Sequence, residues 1–359
     1  MAGIKSLRKI QLGEEWVAGS AGGASLIWRG EGVAQDLRTI EFVKEDIGFY
    51  EDLGRSYIPQ LDASVEVAET PATFEQLPVV LSAAIENTVV GVADGAGSGY
   101  IYQYDLVTTA ANPLQTYTLK VGDDQRVDEV EFGYITHWTL SGSPNEAVRL
   151  AASWQGRQAT DAEFTASLSL VTVEEILFNK GKLYIDATGG VVGATQKTAT
   201  WLGFSLDWPS GWKAVFTGDG ALYFSKLEYI GHWAAPITGE LILEHDATAE
   251  AEIGFARSET VRLVRLEFQG SALTTAGAYT YKTLRADLAV QYTAVPEVGD
   301  ADGDDIVTLP FRVLWSAADS LAAQVIVVNE MPSVAILEIY TSASEALASS
   351  APDVVIARA

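Results

Sequence analysis

VDEVEFGYITHW, residues 127–138, reads as one long strand in which β-branched and aromatic residues interleave with acids. In regular alternation Tyr134, Thr136 and Trp138 face one side and Ile135 and His137 the other. Its last five letters return almost unchanged as YIGHW at 229–233, so two of the three histidines, at 137, 232 and 245, share one context. The flanks match in kind. A Ser-Gly-Ser-Pro-Asn turn and the strand AVRLAASW follow the first copy; an Ala-Pro-Ile-Thr-Gly connection and ELILEHDA follow the second. A four-letter match alone is weak, but with its flanks it favours internal duplication, with His137 and His232 at equivalent positions of two β domains.

Outward from these segments the chain keeps the same character. Short apolar–polar alternations at 99–109, 116–121, 182–187, 221–230, 261–270 and 305–315 are separated by Gly, Asp, Asn or Pro clusters, which is the signature of strands and turns. The protein is therefore expected to be mainly β. One segment, 69–87, departs: Thr73 can cap a helix, Phe74, Leu77, Leu81 and Ile85 follow helical spacing, and Pro78 falls in the first turn, where a missing amide proton costs little. A Gly- and Thr-rich stretch around 178–200 is the expected boundary between two halves.

Composition narrows the chemistry. There are 359 residues and no cysteine, so disulfides, thiolate metal sites and a cysteine nucleophile are excluded. The first residues lack a signal-peptide core and no run approaches a membrane span, so a soluble, unexported chain is expected. A formal charge of -25 repels nucleic-acid phosphates. Lys5, Arg8 and Lys9 precede the first acid, Glu14, and form a local basic exception.

No catalytic constellation can be assembled. The histidines lack HExxH spacing and a third ligand, and a structural histidine beside a core tryptophan is the expected role for both copies. GDADGDD at 299–305 alternates acids as a calcium loop does, but an EF-hand needs glycine at its sixth position and an acid at its twelfth, where Asp305 and Phe311 would stand under the best alignment. An acidic hairpin tip is the expectation. VADGAGSGY at 92–100 lacks the Lys-Ser/Thr of a phosphate loop, and SGS at 141–143 lacks a nucleophile elbow. Catalytic residues, metal and cofactor are all expected to be none.

Two stretches near the start, RKIQLGEEWVAGSAGGASLIWRGEG at 8–32 and RSYIPQLDASVEVAETPATFEQLPVVLSAA at 55–84, resemble the start of the major tail tube proteins of long-tailed bacteriophages (siphophages). The later order, VRLVRLEFQG at 261–270, KTLRADLAVQYTAV at 282–295, an acidic loop and IVTLPFRVLW at 306–315, is similar too. The resemblance implies β-sandwich or barrel-type domains with a short flanking helix, whose sheets join those of neighbours into rings stacked as a tube, an acidic conduit for DNA ejection. It implies a virion structural protein, assembled in the host cytoplasm, meeting a tape measure protein and tail-tip and tail-terminator proteins, with DNA passing through unbound and no membrane partner.

The chain is about twice the length of one tube domain. The expected division is an arm at 1–25, a first tube-like domain at 26–178, a second at 179–345 and a tail at 346–359, closing as trimeric, pseudo-hexameric rings. A second half that is an immunoglobulin-like decoration stays open. Asp62, Glu66, Asp128 and Glu131 are the expected lumen-lining acids; Lys5, Arg8 and Lys9 are expected to contact the neighbouring ring. Readings from other classes are a carbohydrate-binding or lyase-like β protein and a capsid decoration protein.

Overall fold

The computed structural model describes residues 4–51, 54–106, 109–218 and 220–334. Their elements, in chain order, are β1 (Lys9–Glu14), β2 (Leu26–Trp28), β3 (Gly32–Asp36), β4 (Glu41–Phe42), β5 (Ser56–Tyr57), β6 (Ala63–Pro71), α1 (Leu77–Ala84), β7 (Val92–Ala93), β8 (Tyr100–Asp105), β9 (Tyr117–Gly122), β10 (Val127–Gly142), β11 (Arg149–Gly156) and β12 (Ala159–Asp161). There follow β13 (Gly181–Ala187), β14 (Gln196–Lys197), β15 (Trp201–Pro209), β16 (Trp212–Val215), β17 (Lys226–Tyr229), β18 (Thr238–Glu244), α2 (Ala247–Arg257), β19 (Arg262–Ala272), β20 (Tyr281–Tyr292), β21 (Val298–Ala301), β22 (Asp304–Val313) and β23 (Ala323–Asn329). The protein is mainly β and antiparallel, as expected. The last part of the expected second domain and the tail at 346–359 lie outside the described residues.

The stretch 127–138 belongs to the longest strand, and it turns a corner. Phe132 has φ 54° and the register against β9 shifts between Val130 and Gly133, a bulge that bends the strand. Glycine is required there because a Cβ on Gly133 would lie 2.3 Å from Leu119 Cδ1 and 2.7 Å from the Tyr117 carbonyl oxygen. Before the bend β10 pairs with β9 and β12; after it, with β11 and β15. A second register shift, between Ile135 and His137, lets both Ile135 and Trp138 enter the core while His137 stays open. Strict alternation would have put His137 on the side of Ile135, so the bulge corrects that expectation.

Strand pairing reveals a repeat. In the first half β1 pairs with β2 and β9, β3 with β6, β6 with β11, β11 with β10, and β10 with β9. In the second half β13 pairs with β14 and β19, β15 with β18, β18 with β22, β22 with β20 and β21, and β20 with β19. The two lists are the same wiring. A small hairpin follows the third strand of each (β4–β5, β16–β17), a helix follows the next strand (α1, α2), and β20 with β21 together play the part of bent β10. The hairpin β7–β8 belongs to the first half alone and crosses over, β8 pairing with β23.

The repeat runs from β1 to β12 and from β13 to β23, so the two copies meet in the segment 162–180, and the stretch 178–200 holds β13 and β14 of the second copy. Two further expectations need correcting. Residues 1–25 are not all arm: Lys9–Glu14 is a strand, with Ile10 and Leu12 in the core. The two pentapeptides are not equivalent. YITHW lies in bent β10, whereas YIGHW straddles the end of β17 and the turn after it, and the counterpart of β10 is β20–β21. The four shared letters are coincidence, while the duplication rests on topology.

The halves join edge to edge through β10 and β15, giving an open sheet in the order β3-β6-β11-β10-β15-β18-β22-β21. Its inner face carries Val65, Leu150, Trp154, Trp138, Leu206, Trp208, Leu241 and Phe311, all buried. Covering strands complete a sandwich: β2-β1-β9 with the start of β10 over the first half, and β14-β13-β19-β20-β23-β8 over the second. The ring of Tyr117 on β9 meets that of Trp154 on β11 edge-on at 5.8 Å.

The helices obey one position and two chemistries. α1 is apolar all round and every residue is buried; its cap position is Gln76, without a side-chain cap, and not the expected Thr73, whose Oγ1 accepts the Gln76 amide proton in the turn before the helix. α2, which the sequence reading missed, is half exposed. Asp246 caps it by accepting from the Thr248 and Ala249 amides, and Ala249, Ile253 and Ala256 face inward. Alanine supplies two of those three positions, so the apolar stripe is faint.

Candidate assembly interface

Each strand of the eight-stranded sheet sends alternate side chains inward, and the other set forms an open face. Across it run Glu66 and Ser64 on β6, Ser153 and Arg149 on β11, His137, Thr139 and Ser141 on β10, Ser205 and Asp207 on β15, and Glu240 and Glu244 on β18. Hydroxyls and acids dominate, so neighbouring side chains bond to each other: Ser153 donates to Glu66 at 2.5 Å, and the His137 ring pairs with the Asp207 carboxylate across the joint. This is a hydrated, net acidic surface.

The joint between the halves has three layers. Backbone pairing runs from His137↔Pro209 to Gly142↔Phe204. Beneath it Trp138 and Trp208 stack at 5.1 Å with planes 21° apart, both fully buried. Beyond it the hairpin β16–β17 folds back on the first half: Phe224, wholly buried, packs on Phe132 and Tyr134. Arg157 fixes the hairpin by donating to the Phe224 and Ser225 carbonyls, with its guanidinium 4.4 Å from the Phe132 ring centre. His232 secures the hairpin's base: Nε2–H donates to the Pro209 carbonyl at 2.8 Å and Nδ1 accepts from the Tyr229 hydroxyl. Burial holds its pKa below the ordinary histidine value.

The paired edges and the hairpin of the joint have unused counterparts at the ends of the sheet, whereas Asp36 and Pro296 stand at the places of the stacked Trp208 and Trp138. Among the described residues β3, the counterpart of β15, pairs only with β6, and β21, the counterpart of the paired part of β10, pairs only with β22 and is exposed along its whole length. Such edges invite another strand. The hairpin β4–β5, counterpart of β16–β17, stands clear with Phe42, Phe49, Tyr50 and Tyr57 in solvent; Phe49 is 71% exposed where Phe224 is 0%. Beside the β20–β22 corner opens a cavity of about 730 Å³ lined by Tyr292, Arg312, Leu314, Trp315, Trp233 and His232.

The residues expected to line a lumen are split. Asp62 and Glu66 share one side of β6. Gln155 donates to both Asp62 oxygens at 3.0 and 3.1 Å, and burial raises the Asp62 pKa. Asp128 lies before the bend, held by Arg126 and paired against β9 and β12, so it is not on the open face of the large sheet. Glu131 sits in the bulge, its pKa raised by burial, and accepts from Gln158 at 3.4 Å. Asp207, Glu240 and Glu244 on the open face were missed; the alternation in FSLDW and GELILE carried the signal, but which phase faces out needs the register.

Lys5, Arg8 and Lys9 come together along the free edge of β3. They line a groove of about 760 Å³ with Gly30, Glu31, Gly32, Val33 and Glu66; Lys5 pairs with Glu31 at 3.4 Å, and Lys9 lies 4.3 Å above the Phe164 ring. GDADGDD is an acidic hairpin tip, as expected, with Asp302 and Gly303 at φ 55° and 93° forming the turn between β21 and β22. His137, opposite Pro209 across the joint, pairs with Asp207; His232 bonds to the Pro209 carbonyl, and His245 to Glu250. No family model matches the chain, and no curated protein matches it.

Proposed function

We propose that this chain is a structural subunit that assembles with copies of itself into closed rings, stacked as a tube whose acidic interior passes DNA. The carrying observation is the eight-stranded sheet: two copies of one four-stranded unit, already joined edge to edge, ending in two free edges that match the joined pair. A sheet of this kind grows until it closes on itself, and closure removes its edges. Three chains would bring six units round the ring, which is the trimeric, pseudo-hexameric arrangement that a tail tube subunit with two tube-like domains would form. Both halves then line the conduit, because the open face runs unbroken from β3 to β21.

The role is structural rather than catalytic, in a phage virion, with tape measure, tail-tip and tail-terminator proteins as partners. An interior of hydroxyls and acids neither condenses on phosphates nor grips bases, so DNA slides. Electron microscopy of purified protein across a concentration series tests the reading. Tubes with threefold rings and six similar lobes are expected. A monomer at every concentration that binds a sugar saturably beside Trp233 and Trp315 would replace this reading with the carbohydrate-binding one.

A further inference from the structure

We infer that the joint between the halves is the template for the contact between chains: β21 of one copy pairs antiparallel with β3 of the next, Gly299 opposite Val33. This rests on the self-assembly reading and specifies its surfaces. The register follows from rows of paired residues. In the first half Ile135, Trp154, Val65 and Ala34 stand side by side; in the second Tyr292, Phe311, Gly239 and Leu206 do. Ala34 is thus the counterpart of Leu206, and Val33 of Ser205. On the other edge Leu140 pairs with Leu150 and Val298 with Val307; Ser141 pairs with Arg149 and Gly299 with Ile306. The joint itself pairs Leu140 with Leu206 and Ser141 with Ser205. Carried to the free edges, these become Val298 with Ala34 on the inner face and Gly299 with Val33 on the open face.

Charge supports the same placement independently. With Gly299 opposite Val33, the turn Asp302–Gly303 reaches the groove of Lys5, Arg8 and Lys9. Residues 297–305 hold five acids (Glu297, Asp300, Asp302, Asp304 and Asp305) and no base. Glu31 and Glu66 also border the groove, and Lys5 already faces Glu31. The basic cluster therefore acts beside the ring seam, between lateral neighbours. The apolar tip of β4–β5 then takes the place on the neighbour's second half that β16–β17 takes on the first. That place is the cavity walled by Tyr292, Leu314 and Trp315, since Tyr292 is the counterpart of Ile135 and Leu314 follows β22 as Arg157 follows β11.

A chain without cysteine makes the register directly readable. Val33→Cys and Gly299→Cys are made as separate proteins and mixed; a Cβ at Gly299 meets Ile306 at 3.5 Å, an ordinary contact. The mixture, oxidised or treated with a short bismaleimide, should give covalent dimers, each single variant alone none, and the double variant covalent rings. Ser141→Cys with Ser205→Cys, closing the internal joint, calibrates the yield. Asp300→Lys with Asp302→Lys should weaken assembly at least tenfold, and Lys5→Glu with Arg8→Glu should restore it. Tubes that form without the Val33–Gly299 cross-link would overturn this register and leave the proposed function standing; absence of any assembly by wild-type protein would end both.

Discussion

The two small hairpins occupy the same place in the two repeats and have opposite fates. β16–β17 buries Phe224 against Phe132 and Tyr134 under the clamp of Arg157, while β4–β5 leaves Phe42, Phe49, Tyr50 and Tyr57 in water. Local sequence does not account for this, because both hairpins carry aromatic residues beside charges. What differs is the neighbour. One hairpin folds onto the other repeat of its own chain, and the second hairpin has no such repeat beside it among the described residues. Under the self-assembly proposal, these exposed apolar groups are the surface that another copy would cover.

The comparison breaks most visibly at the joint. Trp138→Ala should destabilise the folded chain by about 3–5 kcal/mol, lowering the midpoint of denaturant unfolding, because it removes a fully buried ring and unstacks Trp208. Trp138→Phe should cost clearly less, since the Trp138 indole N–H has no hydrogen-bond partner to lose among the described residues. Phe224→Ala should likewise cost about 3 kcal/mol or more. Phe49→Ala and Tyr50→Ala together should leave the monomer within about 0.5 kcal/mol of wild type while reducing assembly measured by sedimentation. A hairpin pair equally sensitive in the monomer would erase the distinction drawn between them.

The helices offer a second test of similar size. α2 closes its repeat with the buried ion pair of Arg262 and Glu252, at 2.9 and 3.0 Å, to which the Tyr292 hydroxyl adds a bond; α1 has no charge to satisfy. Arg262→Met strands a buried carboxylate and should cost about 3–5 kcal/mol by denaturant titration. Replacing Glu252 and Arg262 together by apolar residues of similar volume should recover most of that loss.

A pH-dependent difference separates the first strands of the repeats. Glu14 ends β1 where β13 ends in Ala187, and burial raises its pKa from 4.5 to about 7. The folded state then holds a proton that the unfolded chain releases. Its contribution is intact below about pH 4.5 and declines as pH rises to about 7, by up to about 3 kcal/mol. Glu14→Gln should abolish that slope in stability measured from pH 4.5 to 8. The adjacent Glu15 is held differently, its carboxylate accepting from the amides of Gly19 and Phe132 and the hydroxyls of Thr116 and Thr118.

The smallest effect is expected at His137. Its pairing with Asp207 is open to solvent on both sides, so His137→Gln should change stability by less than about 0.5 kcal/mol and leave assembly intact. A large loss of assembly would show that the open face at the joint is more than a hydrated surface.

The strands, a helix within 69–87 and the acidic turn at 299–305 were legible in the sequence, because each depends on local periodicity or on turn-forming residues; the Gly- and Thr-rich stretch 178–200 instead holds β13 and β14. α2 was hidden since its inward positions are mostly alanine, and the bulges in β10 were hidden since a bulge is fixed by what packs beneath it, here Leu119 under Gly133. The repeat itself left no reliable trace in letters, and the one apparent trace, YITHW and YIGHW, pointed to positions that do not correspond. Pairing between strands far apart in the chain is decided by which edges meet and which faces are buried, and many side-chain combinations fill the same core. Sequence alone therefore set the kind of element at each place; only the tertiary structure, by fixing register, decided that two halves share one wiring, which acids face out together, and which edges remain unpaired.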